Sequence, residues 1–118
     1  MAYQGKRICQ IVKVKPERLA EYIEIHKKVP SPVLNLIEKY NIHDYSIFYS
    51  EHFQLLIANF KYLGDDLERD SELMRNEPAN AEWWKITDGM QQTLVEGSTG
   101  STDPKGWWVG LEEVFRVE

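Results

Sequence analysis

Tyr22 and His26 stand four residues apart in "LAEYIEIHKK". On a helix that spacing stacks two side chains on one face, roughly 6 Å apart. A histidine so placed can take up and release a proton near neutral pH, and a phenol such as Tyr22 or Tyr45 can hold or relay a second one. Leu19 and Ile23 share the face, so the pair points inward, either as packed core or as the polar floor of a pocket. Trp83 and Trp84 follow in "EWWKITDGM". Adjacent helical residues point about 100° apart, so both rings cannot sink into one stripe of core. Flat aromatic faces commonly hold the C–H faces of a sugar and leave its hydroxyls to polar neighbours. Plain core filling is the alternative reading of both tryptophans. In "HDYSIFYS", Tyr45, Ile47 and Tyr49 share one strand face, with Ser46 and Phe48 on the other, a pattern that ordinary packing explains.

Other chemistries find little support. His43 and His52 sit at strand edges beside polar residues, and no histidines and carboxylates occur at a recognisable ligand spacing, so no metal is expected. GxGxxG, GxxxxGK[ST] and GxSxG are all absent, which removes the nucleotide-binding and acyl-transfer readings. "GDDLERDSE" reads as the solvated start of a helix. Lys plus Arg is 14 against 19 for Asp plus Glu, a net charge of −5 that speaks against a nucleic-acid partner and suits a neutral small molecule. Cys9 is the only cysteine; it lies in an apolar run, as a buried and inert thiol would, and excludes an internal disulfide. No segment approaches the ~20 apolar residues that span a bilayer, so no membrane partner is expected and a cytoplasmic location is the default.

These residues must be positioned by a single domain over residues 1–118, with 42% hydrophobic and 28% charged residues. "KRICQIVKVK" alternates as a first strand, with Ile8, Gln10, Val12 and Val14 on one side and Cys9 and Ile11 on the other. Pro16 opens a helix, and Pro30 and Pro32 break it. Val33, Leu36, Ile37 and Tyr40 continue as a second helical piece. "HDYSIFYS" and "FQLLIANF" predict an antiparallel hairpin. Residues 64–75 read as a short polar helix, and Pro78 opens the helix of the double tryptophan, expected to run to about Leu94. "EGSTGSTDPKG" is a flexible loop by composition. "WWVGLEEVFRV" supplies a last strand in which Trp107 and Trp108 serve packing or a dimer and Gly110 marks a bulge. The order β-α-β-β-α-β is the ferredoxin-like α+β pattern, an antiparallel sheet with helices on one face. Strands apolar on both sides leave the bare face needing a partner, which a homodimer built as a dimeric α+β barrel would supply.

Tyr22-x-x-x-His26, "HDYSIF" with Tyr45, "WWKITDGM" and "LEEVFRV", in that order, closely resemble the L-rhamnose mutarotases over nearly the whole chain. The resemblance implies an enzyme that interconverts the α and β anomers of a six-carbon deoxy sugar without metal or organic cofactor, as a dimer of ferredoxin-like subunits. It implies that His26 is the proton-donating acid and that Tyr22, Tyr45, Trp83 and Trp84 line the sugar site. Asp88, four or five residues past the tryptophans, is a carboxylate that could orient a sugar hydroxyl or the histidine, a role the resemblance does not assign. Where the family reads like "x-x-V-W-P-E", this chain has "KKVPSPVL", with Pro30 in place of the aromatic residue and Pro32 in place of the glutamate. L-Fucose or another 6-deoxyhexose therefore stays open as the preferred sugar. Two rival readings share these features: a cofactor-independent monooxygenase of the dimeric α+β barrel type, and a non-catalytic sugar-binding module.

Overall fold

The structure is a computed structural model and describes residues 5–117. Strand β1 (Lys6–Val14) leads through a 3₁₀ turn (Pro16–Arg18) into helix α1 (Leu19–His26) and, after the proline break, helix α2 (Ser31–Lys39). Hairpin strands β2 (Ile42–Ser50) and β3 (Leu55–Tyr62) follow, then helices α3 (Leu67–Arg75) and α4 (Pro78–Asp88) and short strands β4 (Gln91–Gln92) and β5 (Val109–Leu111). The sheet order is β2-β3-β1-β4, with every neighbour antiparallel, and β5 pairs with β1 beside β4. This is the expected α+β arrangement: each helical connection crosses one strand to reach the next, and each is built from two helices rather than one. The proline break falls where it was predicted, because Pro32 sits in the first turn of α2, where its missing N–H costs nothing.

The helices cover the face carrying Val12, Val14, Leu56, Ala58, Phe60 and Tyr62, all buried. Two cores form there. One gathers Val12, Val14, Tyr22, Leu56 and Met90, and the other Tyr40, Ile42, Phe60 and Met74. Between them a row crosses the sheet through Gly110, Gln10, Ala58 and Ile47. Two of those positions carry almost no side chain, and the space above Gln10 stays open.

Several sequence expectations need correcting. Helix α4 stops at Asp88 rather than near Leu94. Gly89 is a poor helix former, Met90 is drawn into the first core, and Gln91 and Gln92 pair with Val14 and Lys13 instead. The last strand is only Val109–Leu111, and the apolar residues Val114, Phe115 and Val117 beyond it stay exposed. Gly110 faces Gln10 in continuous register, so it marks no bulge. Ile23 is half exposed and does not join the buried stripe of α1. Within "GDDLERDSE", Asp66 caps α3 through the Arg69 N–H, but Asp70 is buried, accepting from the Tyr62 hydroxyl at 2.5 Å and from Asn41 Nδ2 at 3.4 Å. Cys9, expected to be buried, is only half so.

A bulge does occur, in β2, where the register slips between His43 and Ser46. Asp44 takes the left-handed conformation (φ 50°) as the extra residue. Ile42 and Tyr45 are three apart, so a regular pleat would put them on opposite faces. The bulge brings both to the helix side, where Tyr45 stacks on Phe60 with centroids 5.4 Å apart and rings within 6° of parallel. A β-branched residue at this backbone conformation costs about 1–2 kcal/mol, while glycine adopts it freely. Asp44→Gly is therefore expected to unfold near the parent's denaturant midpoint and Asp44→Val clearly below it. Equal midpoints for the two variants would mean the bulge is not there in solution.

Candidate functional site

Helix α1 ends at His26, and its last turn sets the histidine. Nδ1 lies 2.7 Å from the Tyr22 carbonyl oxygen. A carbonyl only accepts, so Nδ1 carries the proton and Nε2 is left as the basic nitrogen of the neutral ring. Partial burial pushes the His26 pKa below its ordinary value, against a smaller opposing effect of that same hydrogen bond. The neutral imidazole is thus the resting form at neutral pH. Its ring stacks on Tyr22 with centroids 4.2 Å apart and meets Trp83 edge-on at 5.4 Å.

The two phenols are held protonated. Burial raises the Tyr22 pKa well above the normal tyrosine value, and the neighbouring Tyr45 and Asp88 add to the rise while a hydrogen bond from Gln91 opposes it. Burial pushes Tyr45 up to about 12. Tyr45 is nevertheless 40% exposed as a residue.

Two hollows abut on the helix side of the sheet, of about 570 Å³ and 280 Å³. Tyr22, His26, Tyr45, Trp83 and Trp84, the five residues singled out from the sequence, line both. This answers how adjacent tryptophans are accommodated. Trp84 leans on the second core while Trp83 turns toward His26, and each still presents a surface to the hollow. Val29, Val33 and Leu34, which flank or follow Pro30 and Pro32, line the larger hollow. Its volume falls within the usual range for small-molecule sites.

Four side chains of the site were not foreseen. Gln91, almost fully buried, receives the Trp107 indole N–H at 2.8 Å and donates to the Tyr22 hydroxyl at 3.3 Å. It escaped notice because it was read as part of the helix. Trp107 does pack against the first core, as expected, but with Trp108 it also walls the smaller hollow. Asn80, one turn before Trp83 and Trp84, is buried in the wall of the larger hollow, and among the described residues its Oδ1 has no hydrogen-bond partner. A polar residue three and four positions before two tryptophans was the signal available for it.

Asp88 turns to neither the histidine nor the hollow. Its carboxylate accepts from the backbone N–H of Ser101 at 2.8 Å and from the Ser101 hydroxyl. It thereby fastens the loop at 96–106, which is further tied by Thr99 to Asp103 and by Ser98 to Gly106. Ser101 and Gly106 of that loop line the smaller hollow. Among the described residues no group of three or more His, Cys, Asp or Glu side chains could hold a metal ion, and no helix is long and apolar enough to cross a membrane.

A family model described as L-rhamnose mutarotase matches residues 7–117. A curated protein called L-rhamnose mutarotase, from Oceanobacillus iheyensis, is 28% identical over 113 residues, which is 96% of this chain and 99% of that protein. The crystal structure of an L-rhamnose mutarotase from Formosa agariphila shares the fold, with a TM-score of 0.75 at 23% identity over 97% of this chain and 100% of that one.

The lowered pKa of His26 carries a stability consequence. Between the folded value and the ordinary value of 6.5, the unfolded chain binds more protons than the folded one. Stability therefore rises with pH across that interval and is lost as pH falls through it. Thermal midpoints of the parent are expected to drop on acidification below about pH 6.5, and those of His26→Gln to drop less. Parallel curves for the two proteins would show that the ring is not desolvated.

Proposed function

The chain belongs to the L-rhamnose mutarotase family, and we propose that it acts as an isomerase interconverting the α and β anomers of L-rhamnose or a related 6-deoxyhexose. The observation that carries this reading is that a half-buried neutral histidine, two protonated phenols and two indoles line the same pair of hollows. Family membership favours it over the oxygenase and the non-catalytic binder.

The indoles and Tyr45 hold the apolar face of the sugar. His26 Nε2 takes the proton of the anomeric hydroxyl. The bond from C1 to the ring oxygen breaks, its electron pair stays on that oxygen, and the oxygen takes up a proton from a neighbouring phenol. The aldehyde carbon rotates and the ring closes on its other face, with both protons returned. His26 is the base in opening and the acid in closure, and the proton-donating role implied by the family is the second of these. Assistance of about 10²–10⁴-fold suffices, because the uncatalysed reaction is already feasible. None of these steps calls for a metal or an organic cofactor.

The working unit we propose is a homodimer of single-domain chains, each domain covering residues 1–118, in the cytoplasm, where a lone cysteine stays reduced. The sheet face away from the helices carries Ile11, Ile57, Val109 and Leu111 side by side in register, with Leu111 half exposed, and the apolar end of the chain continues from it. A second copy turned face to face would cover both.

Saturation-transfer NMR on L-rhamnose tests the activity. The parent is expected to speed exchange between the anomeric signals, and His26→Ala to lose that exchange while staying folded. Parent-like exchange by this variant would remove His26 from the mechanism. Trp83→Ala and Trp84→Ala are expected to act chiefly on KM, by roughly tenfold for about 1.4 kcal/mol of lost contact. For the assembly, sedimentation should show Leu111→Asp as a monomer beside a dimeric parent, and a monomeric parent would end the dimer proposal.

A further inference from the structure

The hydrogen bonds around Gln91 run in only one direction. An indole N–H can donate and never accept, so the Trp107 bond at 2.8 Å requires the carbonyl end of the Gln91 amide, Oε1. That choice turns the other end, Nε2, toward Tyr22, where it donates to the hydroxyl oxygen at 3.3 Å. Having accepted there, the Tyr22 hydroxyl has its own hydrogen left to donate, and among the described residues no protein acceptor takes it. Tyr22, Gln91 and Trp107 all border the smaller hollow.

We propose that Gln91 is a positioning residue which, with its amide locked by the Trp107 indole, commits the Tyr22 proton to the ring oxygen of the bound sugar. This rests on the mutarotase reading and names the second proton carrier that ring opening needs. The step balances. Tyr22 Oη gives its proton to the ring oxygen as the bond to C1 breaks, while His26 Nε2 takes the proton of the anomeric hydroxyl. Imidazolium and phenolate then lie stacked as an ion pair of zero net charge, and closure reverses both transfers. Burial disfavours the charged form of each ring alone, but their mutual attraction across the 4.2 Å stack opposes that cost when both are charged. The other titratable groups that bear on Tyr22 are Tyr45 from β2 and Asp88 from α4. Each oxygen of Asp88 accepts from Ser101.

Gln91→Glu tests the direction of the chain with almost no change of shape. A carboxylate only accepts, so it would take the Trp107 N–H on one oxygen and the Tyr22 O–H on the other, turning the Tyr22 proton away from the sugar. We expect kcat for anomer exchange to fall by about 10²-fold with KM little changed, while near-ultraviolet circular dichroism stays that of the parent. Trp107→Phe, which keeps the glutamine but frees its amide to turn over, is expected to lower kcat by a smaller factor. A folded Gln91→Glu protein with the parent's kcat overturns the proposal. Should that variant not fold, a parent-like kcat in Trp107→Phe overturns it equally. A parent that fails to exchange the anomers of L-rhamnose is a separate result and would remove the mutarotase reading itself.

Discussion

The hydrogen bond between His26 Nδ1 and the Tyr22 carbonyl is the constraint on which the site depends. It joins a ring nitrogen to the backbone one turn earlier, so it exists only because α1 is helical as far as His26. It fixes which nitrogen is basic and holds the imidazole against the Tyr22 ring. Without it the histidine could present either nitrogen to the hollow, and neither the base nor its geometry would be defined.

The remaining elements bring partners to that ring from far along the chain. Trp83 comes from α4, Tyr45 from an edge strand bent by a bulge, and Gln91 from a two-residue strand held against β1. The loop that follows is fastened to the end of α4 by the Asp88–Ser101 contacts, so the wall with Trp107 is tied to the helix carrying Trp83 and Trp84. Asp88 bears a cost for this: burial raises its pKa more than the Ser101 bonds lower it. A carboxylate kept partly desolvated to hold a loop over a hollow places local rigidity ahead of stability.

The two faces of the sheet do different work. The helix side divides into two cores with room between them, because Gly110 and Ala58 contribute so little volume. The other side carries apolar residues that the chain by itself leaves partly open, together with an exposed end containing Val114 and Phe115. Apolar surface of that extent is costly in water, and covering it by a second copy would leave the helix-side hollows untouched.

Tyr45 was marked only by the family resemblance, but the α+β class, the helical break at the prolines, the hairpin and the pairs Tyr22–His26 and Trp83–Trp84 were legible in the sequence itself. Each of these is written in local signals: the period of the apolar residues, the position of proline, the spacing of a tyrosine and a histidine on one turn, and a pairing of tryptophans that core filling rarely needs. Tertiary structure alone decided the rest. Helix α4 stops at Asp88 because Met90 gains more by joining the core and Gln91 by pairing with β1 than either would in another helical turn. Asp70 is buried because Tyr62 and Asn41 reach it from elsewhere in the chain. Gln91 enters the site, and Asp88 leaves it, through contacts between residues 13–69 positions apart. Such contacts depend on where the chain returns in space, which no local pattern of residues records.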